Sequence, residues 1–375
     1  MRAVCVLGLV CVTASQVRAE VSIGASVGAG AQGDSTYSAI DLRLDVAFEH
    51  AKIGLGARGV WEDEQFRTSD WSAPERALTI IRALEAHYAV GETTLAIAGG
   101  ALAPSHVGTI VDGYRVALDD RWRTGVRAGI RNEALELGIE VDDVLDPAVV
   151  AASTRYLFSE PWGMHAGLAV DPDHGSALEV GGHRVYEGDE ARAELGVSVV
   201  AELAPGEAAR GGASAVAYAT SSIAWHDITW SARGDVRAGT GSVGGLFGPL
   251  YRIERVAHDG EMSIWDRHRG GAGAGLSLGA TGSAGWIELG ARARPDLPDL
   301  LVASAGAPMG RWLQAAVWAA ASRGDAAGAG ELRVAWQKRL FSALQAARLY
   351  RFDVEPAMQP HAIWSVTAWF GVASE

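Results

Sequence analysis

The chain has 375 residues with 32 basic and 45 acidic side chains, a net charge of −13. That balance argues against nucleic acid as a partner, since phosphate binding needs a basic footprint. Hydrophobic residues make up 49% and charged residues 21%, with a mean hydropathy of +0.09. Past the N-terminus no apolar run reaches the eighteen or so residues of a membrane helix, so the apolar residues are interleaved with other types.

In chain order the first element is residues 1–19, which read as a signal peptide. Arg2 supplies the positive start, Ala3 to Ala14 a short apolar stretch, and Val17-Arg18-Ala19 a small-residue cleavage site. A buried first helix and a lipoprotein anchor at Cys11 are the weaker alternatives. Cys5 and Cys11 are the two cysteines and both fall inside this segment. The expected mature chain, 20–375, therefore holds neither disulfide nor thiolate metal site.

Period-two alternation then takes over. Ile40, Leu42, Leu44, Val46 and Phe48 fall on one face; Asp41, Arg43, Asp45, Ala47 and Glu49 fall on the other. A helix would smear these charges around every side, whereas a strand separates them. The pattern recurs at 122–131, 135–142, 193–202, 228–237 and 287–294, in runs of about ten residues, the length at which a tilted strand crosses a bilayer. Short gaps such as His50-Ala51, Gly91-Glu92, Asn132-Glu133 and Gly188-Asp189 tend to alternate with long ones, 66–75, 103–120 and 239–270. Tight turns at one end and longer loops at the other are what a transmembrane barrel shows. About nineteen strands fit the pattern. Barrels of this kind have even numbers, and the parity problem lies between Gly239 and Phe341. The expected fold is an all-β, antiparallel up-and-down transmembrane barrel of about eighteen strands, with sixteen to twenty the range.

The last run places Ala362, Trp364, Val366, Ala368, Phe370 and Val372 on one face, close to the C-terminus. Here the sequence resembles Gram-negative outer-membrane β-barrel proteins, broadly porin-like, whose final strand commonly ends in an aromatic residue. The aromatic is usually terminal, and here Gly371 to Glu375 follow it. The resemblance is one of pattern over the mature chain and rests on no specific family motif. It implies an outer-membrane location, lipids as surroundings and small hydrophilic solutes as passengers, and it leaves assembly into a homo-oligomer open. Trp61, Trp122, Trp162, Trp225, Trp312 and Trp364 lie near strand ends, where interfacial girdles sit.

The pore-lining candidates are charged. Arg123, Arg127 and Arg131 share one strand face, and Glu136 and Glu140 share the matching face of the next. A hairpin through Asn132-Glu133 would set a row of cations against a row of carboxylates. Such rows either filter solutes by charge or form a salt-bridge ladder that fixes register. The segment Pro104 to Gly113, followed by Tyr114 and Arg115, carries apolar residues inside a long gap, so it either folds into the lumen or packs on the rim. Asp112 and Arg115 complete the candidates. The 239–270 stretch is a second potential plug. Inward glycines (Gly125, Gly129, Gly138, Gly196, Gly290) suggest open space.

No GxSxG elbow, HExxH helix or Walker loop occurs, so no enzyme and no cofactor is expected. The resulting expectation is a passive channel for small hydrophilic solutes. Its rivals are a plugged structural barrel, a barrel enzyme acting on lipids and a secreted soluble β protein.

Overall fold

The computed structural model describes residues 20–68, 80–100, 102, 104–114, 123–203, 211–240, 247–256, 263–265, 270–294, 299–310, 312–322, 325–336, 340–352 and 360–373. Residues 1–19, the expected signal peptide, lie outside them. The first half of the chain forms β1 (Glu20–Gln32), β2 (Ser35–Ala47), β3 (Ala51–Glu62), β4 (Gln65–Phe66), β5 (Ile81–Val90), β6 (Thr93–Gly100), β7 (Ser105–Val107), β8 (Val111–Tyr114), β9 (Gly125–Arg131), β10 (Leu135–Val141), β11 (Val150–Ser159) and β12 (Trp162–Asp171). The second half forms β13 (Gly175–Glu187), β14 (Ala191–Leu203), β15 (Gly211–Trp225), β16 (Ile228–Gly239), the short helix α1 (Tyr251–Glu254), β17 (Gly271–Gly282), β18 (Gly285–Ala293), β19 (Leu300–Pro308), β20 (Leu313–Ala321), β21 (Ala326–Ala335), β22 (Leu340–Phe352) and β23 (Pro360–Ala373).

Twenty of these strands close into one antiparallel ring. Each pairs with the next along the chain, β3 passing to β5 and β6 to β9, and β23 returns to β1 through Val27↔Phe370 and Gly28↔Trp369. Closure leaves no sheet edge, which matters because each unpaired amide in hydrocarbon costs several kcal/mol. Twenty is the top of the expected range and is even, as antiparallel closure requires. The parity gap after Gly239 resolves into the regular succession β17 to β22. Of the remaining pieces, β4 extends β3, while β7 and β8 form a separate hairpin.

Connections at one end of the ring are two to four residues long, as at 91–92, 160–161, 226–227 and 283–284. The opposite end carries 63–80, 101–124 and 240–270. The start of β1 and the end of β23 both lie at the short-turn end.

The burial pattern is inverted relative to a soluble protein. On β14, Val197 is 65% exposed and Val199 59%, whereas Glu194 and Glu202 on the opposite face are 8% and 3% exposed. Ile40, Leu42 and Leu44 on β2 point outward in the same way. An apolar exterior on so many strands far exceeds the few hundred Å² a soluble surface tolerates, and the barrel therefore presents this band to lipid. Aromatics cluster at the short-turn end: Phe48, Tyr88, Phe158, Trp162, Tyr186, Trp225, Trp312 and Trp336 are all exposed there. Their amphipathic rings suit a bilayer interface. Trp364 is exposed towards the other end, Trp61 packs edge-on against Phe66 at 5.3 Å, and Trp122 lies outside the described residues.

Candidate functional site

The lumen is partly filled by two of the long connections. The β7–β8 hairpin buries Val107, Ile110, Val111 and Tyr114, and the segment around α1 buries Phe247, Tyr251, Ile264 and Trp265. Together they cover an apolar patch on the inner wall, made by Val149 and Ala151 near β11, Ala169 of β12, Ala177 of β13, Val200 of β14 and Val216 of β15. An inner wall facing only water has no use for such residues, so patch and plug explain each other. The two inserts are also joined: Phe247 donates its N–H to Ile110 O at 3.1 Å, and Asp112 donates its N–H to Phe247 O at 3.1 Å. The 104–113 segment and the described parts of 239–270 thus fold inward, and the rim alternative for the first does not hold.

Polar moorings fix the plug to the wall. Glu179 of β13 accepts the N–H of Thr109 at 2.6 Å and its hydroxyl at 2.9 Å. Arg233 of β16 donates to Gly108 O at 2.7 Å, and Arg237 donates to Thr109 O. Asp112 sits between Arg292 of β18, Arg233 at 3.4 Å and His106 at 3.3 Å. Burial raises the Asp112 pKa, but the His106 hydrogen bond and the two guanidinium charges outweigh it and hold the carboxyl well below its usual range. Tyr114 donates to Asp142; burial, then that negative charge, push the phenol far up, so it stays a donor. Tyr251 donates to Asp171 at 2.7 Å and accepts the Trp265 indole N–H at 2.9 Å, while Arg255 pairs with Asp171 at 3.2 Å. Arg294 closes the far side on Glu254 at 2.8 Å. Removing one partner of a buried pair of this kind typically costs about 3–5 kcal/mol.

The charged rows read from the sequence land in the expected hairpin, with Glu136↔Arg131 and Glu140↔Arg127 in register. Arg127 pairs with Glu140 at 2.6 Å, and Ser105 of the plug donates to the same carboxylate. The two rows lie side by side on adjacent strands, the arrangement of a ladder. Arg123 precedes β9 and pairs instead with Asp143 at 2.8 Å and Asp146 at 3.1 Å. Burial comes first for Asp143 and its pKa is raised despite Arg123. Arg131 and Glu136 are exposed near the short turn, Asp112 is a plug anchor, and Arg115 lies outside the described residues. A smaller cavity of about 380 Å³ touches Arg127, Glu136, Glu140 and His106.

Inward glycines do not all leave open space. A Cβ on Gly196 would fall 2.3 Å from the Tyr218 ring, and one on Gly125 would fall 2.6 Å from Asp142 O. These positions seat neighbouring groups. At Gly290 the nearest atom to a Cβ is 3.7 Å away, and there space does remain.

A further cavity, of about 650 Å³, runs along the wall from β18 round to β3, with Pro104 on the plug side. Its polar lining includes Arg58, Glu288, Glu331, Gln345 and Thr367, with Trp318 and Trp369 among them. Trp369 donates its indole N–H to Gln345 at 2.8 Å, Gln345 donates to Glu331 at 2.5 Å, and Arg58 lies 5.2 Å from the Trp369 ring centre. The sequence reading missed this wall. Its charges are sparse, and the small Ala and Gly residues between them blur the alternation.

No protein-family model matches the chain, and no curated protein does. Solved structures of similar architecture exist. OccK2 (OpdF) of Pseudomonas aeruginosa is 10% identical with a TM-score of 0.38, over 95% of this chain and 98% of that one. A BenF-like porin from Pseudomonas fluorescens Pf-5 is 7% identical with a TM-score of 0.38, over 95% and 99%. The outer membrane protein opdK of Pseudomonas aeruginosa is 11% identical with a TM-score of 0.37, over 95% and 99%. Likeness at this level bears on no residue of the lumen.

Proposed function

We propose that the chain is an outer-membrane channel that passes small hydrophilic solutes passively, through the part of the lumen that the plug leaves free. The observation that carries this reading is the 650 Å³ cavity on the wall from β18 to β3, lined by charged and amide side chains inside a lipid-facing barrel. A barrel of this strand number is wide enough for an aqueous channel once side chains and loops are subtracted. The even strand count, the end at which every connection is short and the aromatic girdle at that end support an outer-membrane setting. Passage is by diffusion, with selection by width at the plug and by Arg58, Glu288 and Glu331 along the free wall. Arg127 with Glu140, and Arg123 with Asp143, act as register-fixing pairs at the plug's margin, while Arg131 and Glu136 line the short-turn mouth.

Swelling of liposomes reconstituted with the mature chain tests this. Uptake of neutral solutes should fall steeply with solute size, as expected of a lumen narrowed by the plug. Folded, inserted protein that leaves the liposomes as tight as empty ones would favour the plugged structural barrel.

A further inference from the structure

On the wall beneath the plug, three ring-bearing side chains converge from three strands. His165 comes from β12, His183 from β13 and Tyr218 from β15. Each lies over an inward glycine of an adjacent strand. A Cβ on Gly181 would fall 2.6 Å from the His165 ring, one on Gly163 would fall 2.5 Å from the His183 ring, and one on Gly196 would fall 2.3 Å from the Tyr218 ring. Paired registers His165↔Gly181 and Gly163↔His183 create two of these seats.

The result brings donor atoms together. His165 Nδ1 is 3.4 Å from His183 Nδ1 and 3.5 Å from Tyr218 Oη. His165 Nε2 faces Glu179 Oε1 at 3.3 Å, and Tyr218 donates to Glu194 at 3.0 Å. An ionised Glu179 accepts only, so His165 carries its proton on Nε2 and turns its Nδ1 lone pair towards His183 and Tyr218. A carboxylate behind an imidazole in this way is the usual outer partner of a metal-binding histidine, because it fixes the tautomer and raises the ligand's basicity. His183 is 2% exposed, and its Nε2 has no hydrogen-bond partner among the described residues.

We propose that His165 Nδ1, His183 Nδ1 and Tyr218 Oη form a lumen-wall site for one divalent transition-metal ion of the copper or zinc class. Imidazole nitrogens bind such ions at about 2.0–2.1 Å, so two of them 3.4 Å apart subtend about 110° at a shared ion, close to the tetrahedral angle. Imidazole and oxygen donors select Cu²⁺ and Zn²⁺ over Mg²⁺ and Ca²⁺. The carboxylates nearest the rings are Glu179 and Glu194, the latter paired with Arg155 at 2.5 Å, and Arg155 and Arg192 are the nearby cations. Binding shifts the His183 proton from Nδ1 to the unpartnered Nε2. The Tyr218 proton, now donated to Glu194, is released to solvent when the oxygen ligates, as ligation requires. Because Glu179 also holds Thr109, the same ion would stiffen one mooring of the plug.

The test uses the tag-free mature barrel, refolded in detergent, stripped with chelator and titrated with CuCl₂. One equivalent should bind per chain, with nitrogen splitting from two imidazoles in the electron paramagnetic resonance spectrum. His165→Ala and His183→Ala should each weaken binding by at least about 100-fold, and Glu179→Gln should do so by about 10–100-fold. Tyr218→Phe keeps the ring packing and should retain both nitrogen couplings with weaker binding. Heat-modifiable gel mobility reports that each variant has folded. His174→Ala alters the Asp171, Asp173 and His174 group, where three potential ligand residues also meet, and should change nothing. Absence of stoichiometric binding, a spectrum without coordinated nitrogen, or loss of binding in His174→Ala would overturn the assignment. None of these readouts depends on whether the barrel conducts.

Discussion

At the residue scale, the face a side chain occupies decides what it can be. Val197 and Ser198 are neighbours on β14, yet one is 65% exposed to the bilayer and the other is 5% exposed on the lumen side. Arginine at Val197 would sit near the middle of its strand on the lipid face, where a cation costs about 2–4 kcal/mol. We expect Val197→Arg to lower the urea midpoint of the refolded barrel by that equivalent in lipid vesicles and by much less in detergent. An equal loss in both media would mean that Val197 does not face lipid. The outward and inward assignments were legible because alternation is local: Ile40 and Asp41 declare their faces without help from distant residues. The glycines misled for the opposite reason. Gly196 reads as empty until Tyr218, from the next strand, is placed over it.

At the element scale, the strands carry their own evidence and the plug does not. The Arg127–Glu140 register followed from two consecutive runs and a two-residue turn. The plug's apolar residues, Val107, Ile110 and Val111, were visible as unusual loop content. Their destination was not, because the anchors come from far along the chain: Asp112 meets Arg292 across 180 residues. The His165, His183 and Tyr218 convergence was hidden in the same way, since only the strand registers bring the rings together. Asp112 supplies the element's pH behaviour. Its carboxyl is held well below the usual range, so its contribution is present above that range and is lost only as the pH falls through the depressed value. Acidification from about pH 7 to about pH 4 should therefore leave this mooring intact. Asp112→Asn removes the charge at every pH and should loosen the hairpin, seen as faster amide exchange across 105–114 at pH 7. Exchange in the wild-type hairpin that accelerates on the way to pH 4 as much as in the variant would show that Asp112 is not the anchor.

At the scale of the whole molecule, a twenty-strand ring has more interior than its side chains fill, and the inserts occupy part of it. The plug packs on β11 to β15, and Leu250 and Ile253 of the α1 segment reach across to Leu300, Ala320, Ala327 and Tyr350 of β19 to β22. The free cavity lies along β18 to β3, beside those α1 contacts. The position of the cavity makes the channel reading sharp, because current should follow its lining residues. Both native cysteines, Cys5 and Cys11, fall within the expected signal peptide, so a single introduced thiol can report on the path. The most direct measurement is single-channel current in a planar bilayer for mature protein carrying Glu331→Cys, before and after reaction with a bulky cationic thiol reagent. The account predicts discrete conductance steps that shrink several-fold on modification, with no change for Val197→Cys on the lipid face. Stable insertion without conductance steps, or steps indifferent to a modified Glu331→Cys, would contradict it.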